Sequence, residues 1–358
     1  HEAAHALSSI PHSPHEAFPS VIRFLLRRLA GSVVVLAGVS VITFALARLL
    51  PGDVAATYIG PRARPESIAR VREELGLNEE LHVQYLVFMR DMLQGDWGTS
   101  ITTKQPVLPG IIDRLPATLE LITAALLIAV PLGIVLGVLS ARWSGRPVDM
   151  GVRVASVIGV SVPAFFLGLL LQMLFFRQLD VLPLSGRVDS DLRFTSPIAE
   201  VTGVYIVDSA ISGNWVAFVD VAWHLILPAI TLAAYPIGLI SRMTRSSMLE
   251  TLNKDFVRTA RAFGLRERLI VGRLALRNAL VPLLTVLGLT LAYLITGTFY
   301  VEFIFNWPGL GTFTVDAILA TDYPAIMGIA LVGAAAYVLI NLLVDLAQAW
   351  VDPRIRLD

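Results

Sequence analysis

Six stretches of this sequence are each long and apolar enough to cross a lipid bilayer, and that property removes most other folds from consideration. They span roughly 29–50, 118–141, 151–176, 223–240, 279–301 and 325–351. Crossing the hydrocarbon core of ~30 Å takes about 20 helical residues, and every backbone group inside it has to be satisfied within the chain. Helices do this one span at a time. Charged residues make up 16% of the chain, apolar ones 55%, and the mean hydropathy is +0.70. A soluble domain carries about 25% charged residues, so lipid is the solvent that suits this chain. The fold class expected is all-α integral membrane with six transmembrane helices. Pro163 in the third run, and Pro228 and Pro236 in the fourth, are predicted kinks.

The polar residues exclude several functions. Net charge is zero, which argues against nucleic acid as a partner. There is no cysteine, so neither a disulfide framework nor a thiolate metal site can form. No nucleophile–base pair or metal-ligand set falls inside the runs, so no catalytic residue and no metal site is predicted. Lys104 and Lys254 are the only lysines, and they follow Thr103 and Asn253 rather than glycine. The Gly-Lys-Ser/Thr loop that cradles nucleotide phosphates is missing, so this chain is not expected to bind ATP through such a loop. Residues 1–20, with His1, His5, His12 and His15, read as a flexible or tag-derived tail. Residues 21–358 read as one transmembrane domain.

Arginines orient it. Arg23, Arg27 and Arg28 precede the first run, Arg142 and Arg146 follow the second, nine Arg or Lys fall in 242–282, and Arg354 and Arg356 follow the sixth. Six alternating helices put all of these on one side, which the positive-inside rule makes cytoplasmic, together with both termini. Segments 51–115, 177–222 and 302–324 then lie outside. In the first, a helix is predicted from Pro65 to about Leu75, stopped by Gly76, and another from Glu79, capped by Asn78, to about Leu93.

The basic segment, 242–279, carries only three acids (Glu250, Asp255, Glu267). Phe256, Ala260 and Phe263 recur at i, i+4 and i+7, which predicts one apolar face on a short helix, with Arg258 and Arg261 pointing elsewhere and Gly264 ending it. Such a face suits a groove on a cytoplasmic partner, or equally the surface of anionic lipid. Polar residues within the runs offer a wet path: Ser161, Gln172, Tyr235, Thr290, Tyr293, Thr296 and Asn341. Helix–helix hydrogen bonding is the plainer role for any one of them. No ionisable residue sits at the centre of a run, and Glu120 and Asp345 fall near run ends, which argues against a proton-driven carrier. Trp307, Pro308 and Gly309 form a turn that either folds into the outer mouth as a gate or anchors a tryptophan in the interface.

The stretch from Asp255 through Arg258-Thr259-Ala260-Arg261-Ala262-Phe263-Gly264-Leu265, followed by Leu276-Arg277-Asn278-Ala279-Leu280-Val281-Pro282, resembles the signature loop of ABC importer permeases. Thr259 stands where that family usually has Glu, Ala260 and Arg261 replace an alanine pair, and the glycine is kept at 264. The branch most similar is the dipeptide/oligopeptide permeases, to which Gly95-Asp96-Trp97-Gly98-Thr99-Ser100, Leu182-Pro183-Leu184-Ser185-Gly186, His224-Leu225-Ile226-Leu227-Pro228-Ala229, Trp307-Pro308-Gly309-Leu310-Gly311 and Asp352-Pro353-Arg354 also correspond. The resemblance implies a type I importer permease of the bacterial plasma membrane, pairing with a second, similar permease. It further implies two ATPase subunits that use ATP and magnesium, and an extracytoplasmic peptide-binding protein. The loop 255–268 would be the coupling helix seated in an ATPase, with Asp255 to Leu265 as its coupling residues, braced by Arg277, Asn278 and Pro282, and transport would proceed by alternating access. Nickel chelate, glutathione or haem are alternative cargoes for this branch; a stand-alone secondary transporter is the alternative class.

Overall fold

The structure is a computed structural model that describes residues 14–49, 54–60, 63–74 and 76–351. The His-rich start and the Asp352-Pro353-Arg354 motif lie outside those residues, although residues 14–20 of the expected tail are already helical. The elements are α1 (Pro14–Leu49), α2 (Val54–Ile59), α3 (Pro65–Glu74), α4 (Leu81–Leu93), α5 (Val107–Arg142), α6 (Pro147–Ser161), α7 (Ala164–Leu171), α8 (Leu192–Thr195), α9 (Tyr205–Ile211), α10 (Trp215–Leu252), α11 (Asp255–Ala262), α12 (Glu267–Leu269), α13 (Leu276–Ala279), α14 (Val281–Ile304), α15 (Leu310–Leu319) and α16 (Tyr323–Val351). Wider π-helical turns follow α7 (Gln172–Gln178) and join α12 to α13 (Ile270–Ala275).

Among the described residues, α1, α5, α10, α14 and α16 are long and apolar enough to span a bilayer, and the third expected run is the broken pair α6–α7, bent by 107°. Pro163 causes that break: it has no amide to donate, and Val162 before it is extended. Pro228 and Pro236 are instead buried inside the continuous α10. Three runs extend well past their expected ends, and the first of them, α1, already begins at Pro14. α5 begins at Val107 and carries Pro116 inside it, and α10 continues to Leu252, absorbing Arg242 and Arg245 from the expected loop. The helix expected to be capped by Asn78 starts two residues later than read, after the extended Glu80 and without a side-chain cap.

α5 and α10 form the spine. Gly133 and Gly137 sit one turn apart on α5, and a methyl group on either would come within 2.7 Å of Ile240 or 2.5 Å of Thr244 on α10. Gly238 of α10 meets the Ser156 carbonyl of α6 just as closely. With no water to expel between helices in lipid, close backbone approach at small residues is what holds them. The core between them is Leu121, Ala125 and Ala129 against Leu227, Leu232 and Ala233, closed by Leu294, Val301, Phe305 and Trp307.

Directional bonds hold the two ends. At the basic end, Asp149 accepts from Ser140 Oγ (2.6 Å), Gly145 N (2.9 Å) and, bidentately, Arg245 (2.7 and 2.9 Å). This ties α5, α6 and α10 together. At the opposite end, Asp322 opens α16 and accepts from Ser100 Oγ (2.6 Å) and Thr102 N (2.9 Å), fastening the segment before α5.

Candidate functional site

Three regions bear on function: the elbow α11–α13, the polar face of α14, and the loop-rich end around Glu302 and Arg187. In the elbow, α10 ends at Asn253, Lys254 is extended, and Asp255 opens α11 where a carboxylate favours a helix N-terminus. Gly264 (φ +72°) then takes a left-handed conformation that a side chain would strain. Gly264 N donates to the Arg261 carbonyl (2.9 Å) and Leu265 N to the Ala260 carbonyl (3.2 Å), the double bond pattern of a Schellman stop.

The single apolar face expected for α11 is two faces. Val257 and Ala260 are buried against Ile270 beside Leu252 and Leu274. Phe256 (39% exposed) and Phe263 (81%) point outward with Thr259. The cause is angular. At about 100° per residue, Ala260 lies roughly 40° from Phe256 and 60° from Val257, so its small methyl turns inward with Val257. Arg261 reaches across the elbow to Glu267 (2.9 Å), and that hydrogen bond holds the Glu267 carboxyl below its usual range and raises Arg261. Arg258 leans on Asp255 (3.3 Å), and Ala262 closes the helix, exposed with Leu265. Arg277 and Asn278 are exposed, and Asn278 donates to the Leu274 carbonyl one turn back (2.8 Å); the returning segment is seated by Val271, Ala275 and Ala279 against Ala141 and Met248.

The polar residues within the runs separate into two sets. Tyr235 of α10 and Tyr293 of α14 stack with ring centroids 4.1 Å apart. Thr296 and Tyr300 continue outward on the Tyr293 side of α14, and both are exposed. Gln172 is buried and spends its amide on the carbonyls of Leu184 (2.9 Å) and Ile304 (3.2 Å), a structural role. Thr290 is fully buried, with no partner for its hydroxyl among the described residues. Ser161 is exposed at the α6–α7 break, and Asn341 caps the Tyr337 carbonyl (3.1 Å).

Two groups at the loop-rich end escape a run-by-run reading. Glu302 is fully buried on α14, which extends past the expected limit at 301. Its carboxylate accepts from Thr118 Oγ1 (2.6 Å), Gly311 N (2.6 Å) and Thr312 N (3.3 Å), so it neutralises the first turn of α15. Gly309 and Gly311 press against it so closely that a methyl group on either would collide with the carboxylate. Trp307 is likewise fully buried and donates from Nε1 to the Ala117 carbonyl (2.8 Å), which corrects the reading of an interface-anchored tryptophan, while Pro308 is exposed. Arg187 is the second group. It pairs with buried Glu120 (2.7 Å), donates to the Gly203 carbonyl (2.7 Å) and stacks on Tyr205 (3.8 Å). Glu120 lies well inside α5, not near a helix end. A carboxylate seven residues before a Gly-Leu-Gly turn was the signal available for Glu302; Arg187 gave none.

A bundle of long apolar helices, held at its ends by buried ion pairs and projecting a basic elbow, is a multi-pass membrane protein. Its sequence matches the family model described as "Binding-protein-dependent transport system inner membrane component" over residues 133–357, and the N-terminal component model of such systems over 21–122. It is similar to the probable D,D-dipeptide transport system permease protein DdpB of Escherichia coli K12, with 47% identity covering 94% of this chain and 98% of that protein. It is 41% identical to the dipeptide transport system permease protein DppB of Alkalihalophilus pseudofirmus, covering 94% and 100%. Identity is 37% to the glutathione transport system permease protein GsiC of Salmonella choleraesuis, covering 94% and 99%. Among solved structures, an inward-facing MetNI methionine ABC transporter aligns over 69% of this chain and 96% of that one at 17% identity, with a TM-score of 0.47. The chain belongs to the binding-protein-dependent transport system inner membrane component family: it is a permease, the transport component of such a system.

Proposed function

We propose that this chain forms half of the translocation path of an ATP-driven importer of di- and oligopeptides, and that its movements are imposed through α11. The observation that carries the reading is the outward pair Phe256 and Phe263 on a helix fastened to α10 by buried Val257 and Ala260. Two exposed aromatic anchors on a rigid stub suit a groove on another protein, and Thr259 lies between them. The partners are a second, similar permease, two ATPase subunits that bind ATP and magnesium and carry out hydrolysis, and an extracytoplasmic peptide-binding protein. The elbow faces the cytoplasm with both termini; residues 51–115 and 177–222 lie outside. Tyr235, Tyr293 and Thr296, with Tyr300, line the path, and the Trp307–Gly309 turn closes its outer end. The peptide cargo is supported by relatives named for dipeptide transport at 41–47% identity. Glutathione, a tripeptide, is the second reading, supported by the relative named for it at 37%.

The test is uptake of labelled dipeptide into proteoliposomes holding this chain with its partner permease, both ATPases and the binding protein. Uptake is expected only with ATP and the complete assembly. Accumulation by this chain alone would refute the reading, and uptake of glutathione but no dipeptide would favour the second.

A further inference from the structure

The nine basic residues from Arg242 to Arg277 divide cleanly by what they touch. Four are paired within the chain: Arg245 with Asp149 (2.7 Å), Lys254 with Glu250 (3.2 Å), Arg258 with Asp255 (3.3 Å) and Arg261 with Glu267 (2.9 Å). These pairs consume every acid of the segment. The remaining five, Arg242, Arg266, Arg268, Arg273 and Arg277, are exposed and have no carboxylate partner among the described residues. All five are arginine, whose planar fork grips phosphate oxygens two at a time.

Their place along the chain matters as much as their charge. Arg273 and Arg277 are four residues apart, on the outward side of a stretch whose inward side (Val271, Ala275, Ala279) is packed on Ala141 and Met248. That stretch runs into the apolar span beginning at Pro282. Arg277 precedes Pro282 by about five residues, roughly 7–8 Å of helical rise, and the headgroup layer outside the ~30 Å core is about 5–7 Å deep. With the edge of the hydrocarbon core taken at Pro282, the Arg277 guanidinium falls at the level of lipid phosphates, with Arg273 one turn further out and able to reach back along its stem. α6 repeats the pattern at the same end. Arg146 and Arg153 are exposed beside exposed Val148, Met150, Val154 and Val157, the mixture of an interfacial helix. The aromatic anchors Phe256 and Phe263 lie on a different element, α11.

We propose that Arg242, Arg273 and Arg277, with Arg146 and Arg153 at the same end of the bundle, form a binding surface for the phosphate headgroups of anionic glycerophospholipids. The surface is separate from the α11 face assigned above to a protein partner, and it holds the elbow at a fixed depth. The test uses the assembled transporter in nanodiscs of phosphatidylcholine with a rising fraction of phosphatidylglycerol, with native mass spectrometry counting retained lipid. Wild type is expected to retain phosphatidylglycerol over phosphatidylcholine, and increasingly so at low salt. Arg273→Gln with Arg277→Gln should weaken that retention about thirtyfold, from roughly 1 kcal/mol per cation at an anionic surface. Arg273→Lys with Arg277→Lys should keep most of it, which guards against a folding defect in the glutamine variant. Inorganic phosphate at matched charge should not displace the lipid; displacement would mean a free-anion site and would overturn the proposal. Unchanged lipid retention in the glutamine variant would overturn it too, and if the ATPase subunits were also lost the arginines would belong to the protein interface.

Discussion

Arg187 offers the sharpest energetic test of the loop-rich end. Its side chain holds Glu120 at 2.7 Å and the Gly203 carbonyl at 2.7 Å, and it stacks on Tyr205 at 3.8 Å. Replacing it with Met keeps the bulk and leaves the Glu120 carboxylate buried with only the Ile206 amide (2.7 Å) as a partner. Removing one member of a buried pair costs about 3–5 kcal/mol, because the remaining charge loses both water and counter-ion. Replacing Glu120 as well removes that orphan charge. The double variant then carries only the unmet Gly203 carbonyl and Ile206 amide, about 1–3 kcal/mol apiece. A double-mutant cycle in mixed detergent micelles, unfolding with SDS and following tryptophan fluorescence, is expected to give a coupling energy of at least about 2 kcal/mol. Trp307 lies 5.8 Å from the Arg187 guanidinium and serves as a local reporter. If the two single losses simply add, the pair is not a coupled unit and the argument that it staples the 177–222 segment to α5 is wrong.

Three further outcomes follow from the geometry. Gly137→Ala forces a methyl group to 2.5 Å from Thr244, so it should lose about 1–3 kcal/mol of stability in the same assay, and a wild-type midpoint would mean that α5 and α10 separate easily. Phe263→Ala should insert normally yet co-purify about thirtyfold less ATPase, the loss of one interface anchor worth about 2 kcal/mol; Gly264→Pro, which cannot reach φ +72°, should do the same, and full ATPase recovery with both would remove α11 as the docking element. Burial alone would raise the Asp208 carboxyl, but bonds from Thr202, Val201 and Gly203 hold it below its usual range. A depressed carboxyl stabilises the fold above its unfolded value of about 3.9 and ceases to do so as pH falls through the folded value. Amide exchange around 201–208, corrected for intrinsic rate, should therefore stay slow at pH values well above about 4 and quicken only in stronger acid, whereas Asp208→Asn should remove the pH dependence.

Apolar run length carried the fold: six runs were readable, and the described residues supply five continuous spans and one broken pair. Where the reading stopped short, the reason is tertiary. Counting apolar residues ends α10 near residue 240 because Arg242 and Arg245 follow; nothing local says that Arg245 is neutralised by Asp149, far away in sequence, which lets the helix run on to Leu252. The same limit hid Glu302, whose acceptable burial depends on Thr118 and on the first amides of α15. The elbow was legible as a helix with a glycine stop, because both signals are local. Which of its residues turn inward was not, because Ala260 sits between two faces and only packing on Ile270 decides.

The distribution of these bonds constrains how such a bundle can move. At the basic end Asp149 ties α5, α6 and α10 with four hydrogen bonds, and breaking a buried pair of that kind costs about 3–5 kcal/mol, so those three helices shift as one body. α14 is held differently at its two ends. Its loop-rich end is pinned to α5 through Glu302 and Thr118, while near the elbow Leu283 and Val286 pack on Ile240 of α10. Apolar contacts can slide over one another without leaving a hydrogen-bonding group unmet, whereas the Glu302 contact cannot. On the proposed mechanism a push on α11 therefore reaches α10 directly, and α14 pivots about its Glu302 end, opening or closing the Tyr235–Tyr293 stack between them. Cross-linking of paired cysteines, introduced freely because the chain has none, should give efficiency that varies with nucleotide at 239/283 and stays constant at 118/310. The reverse pattern would place the pivot at the elbow.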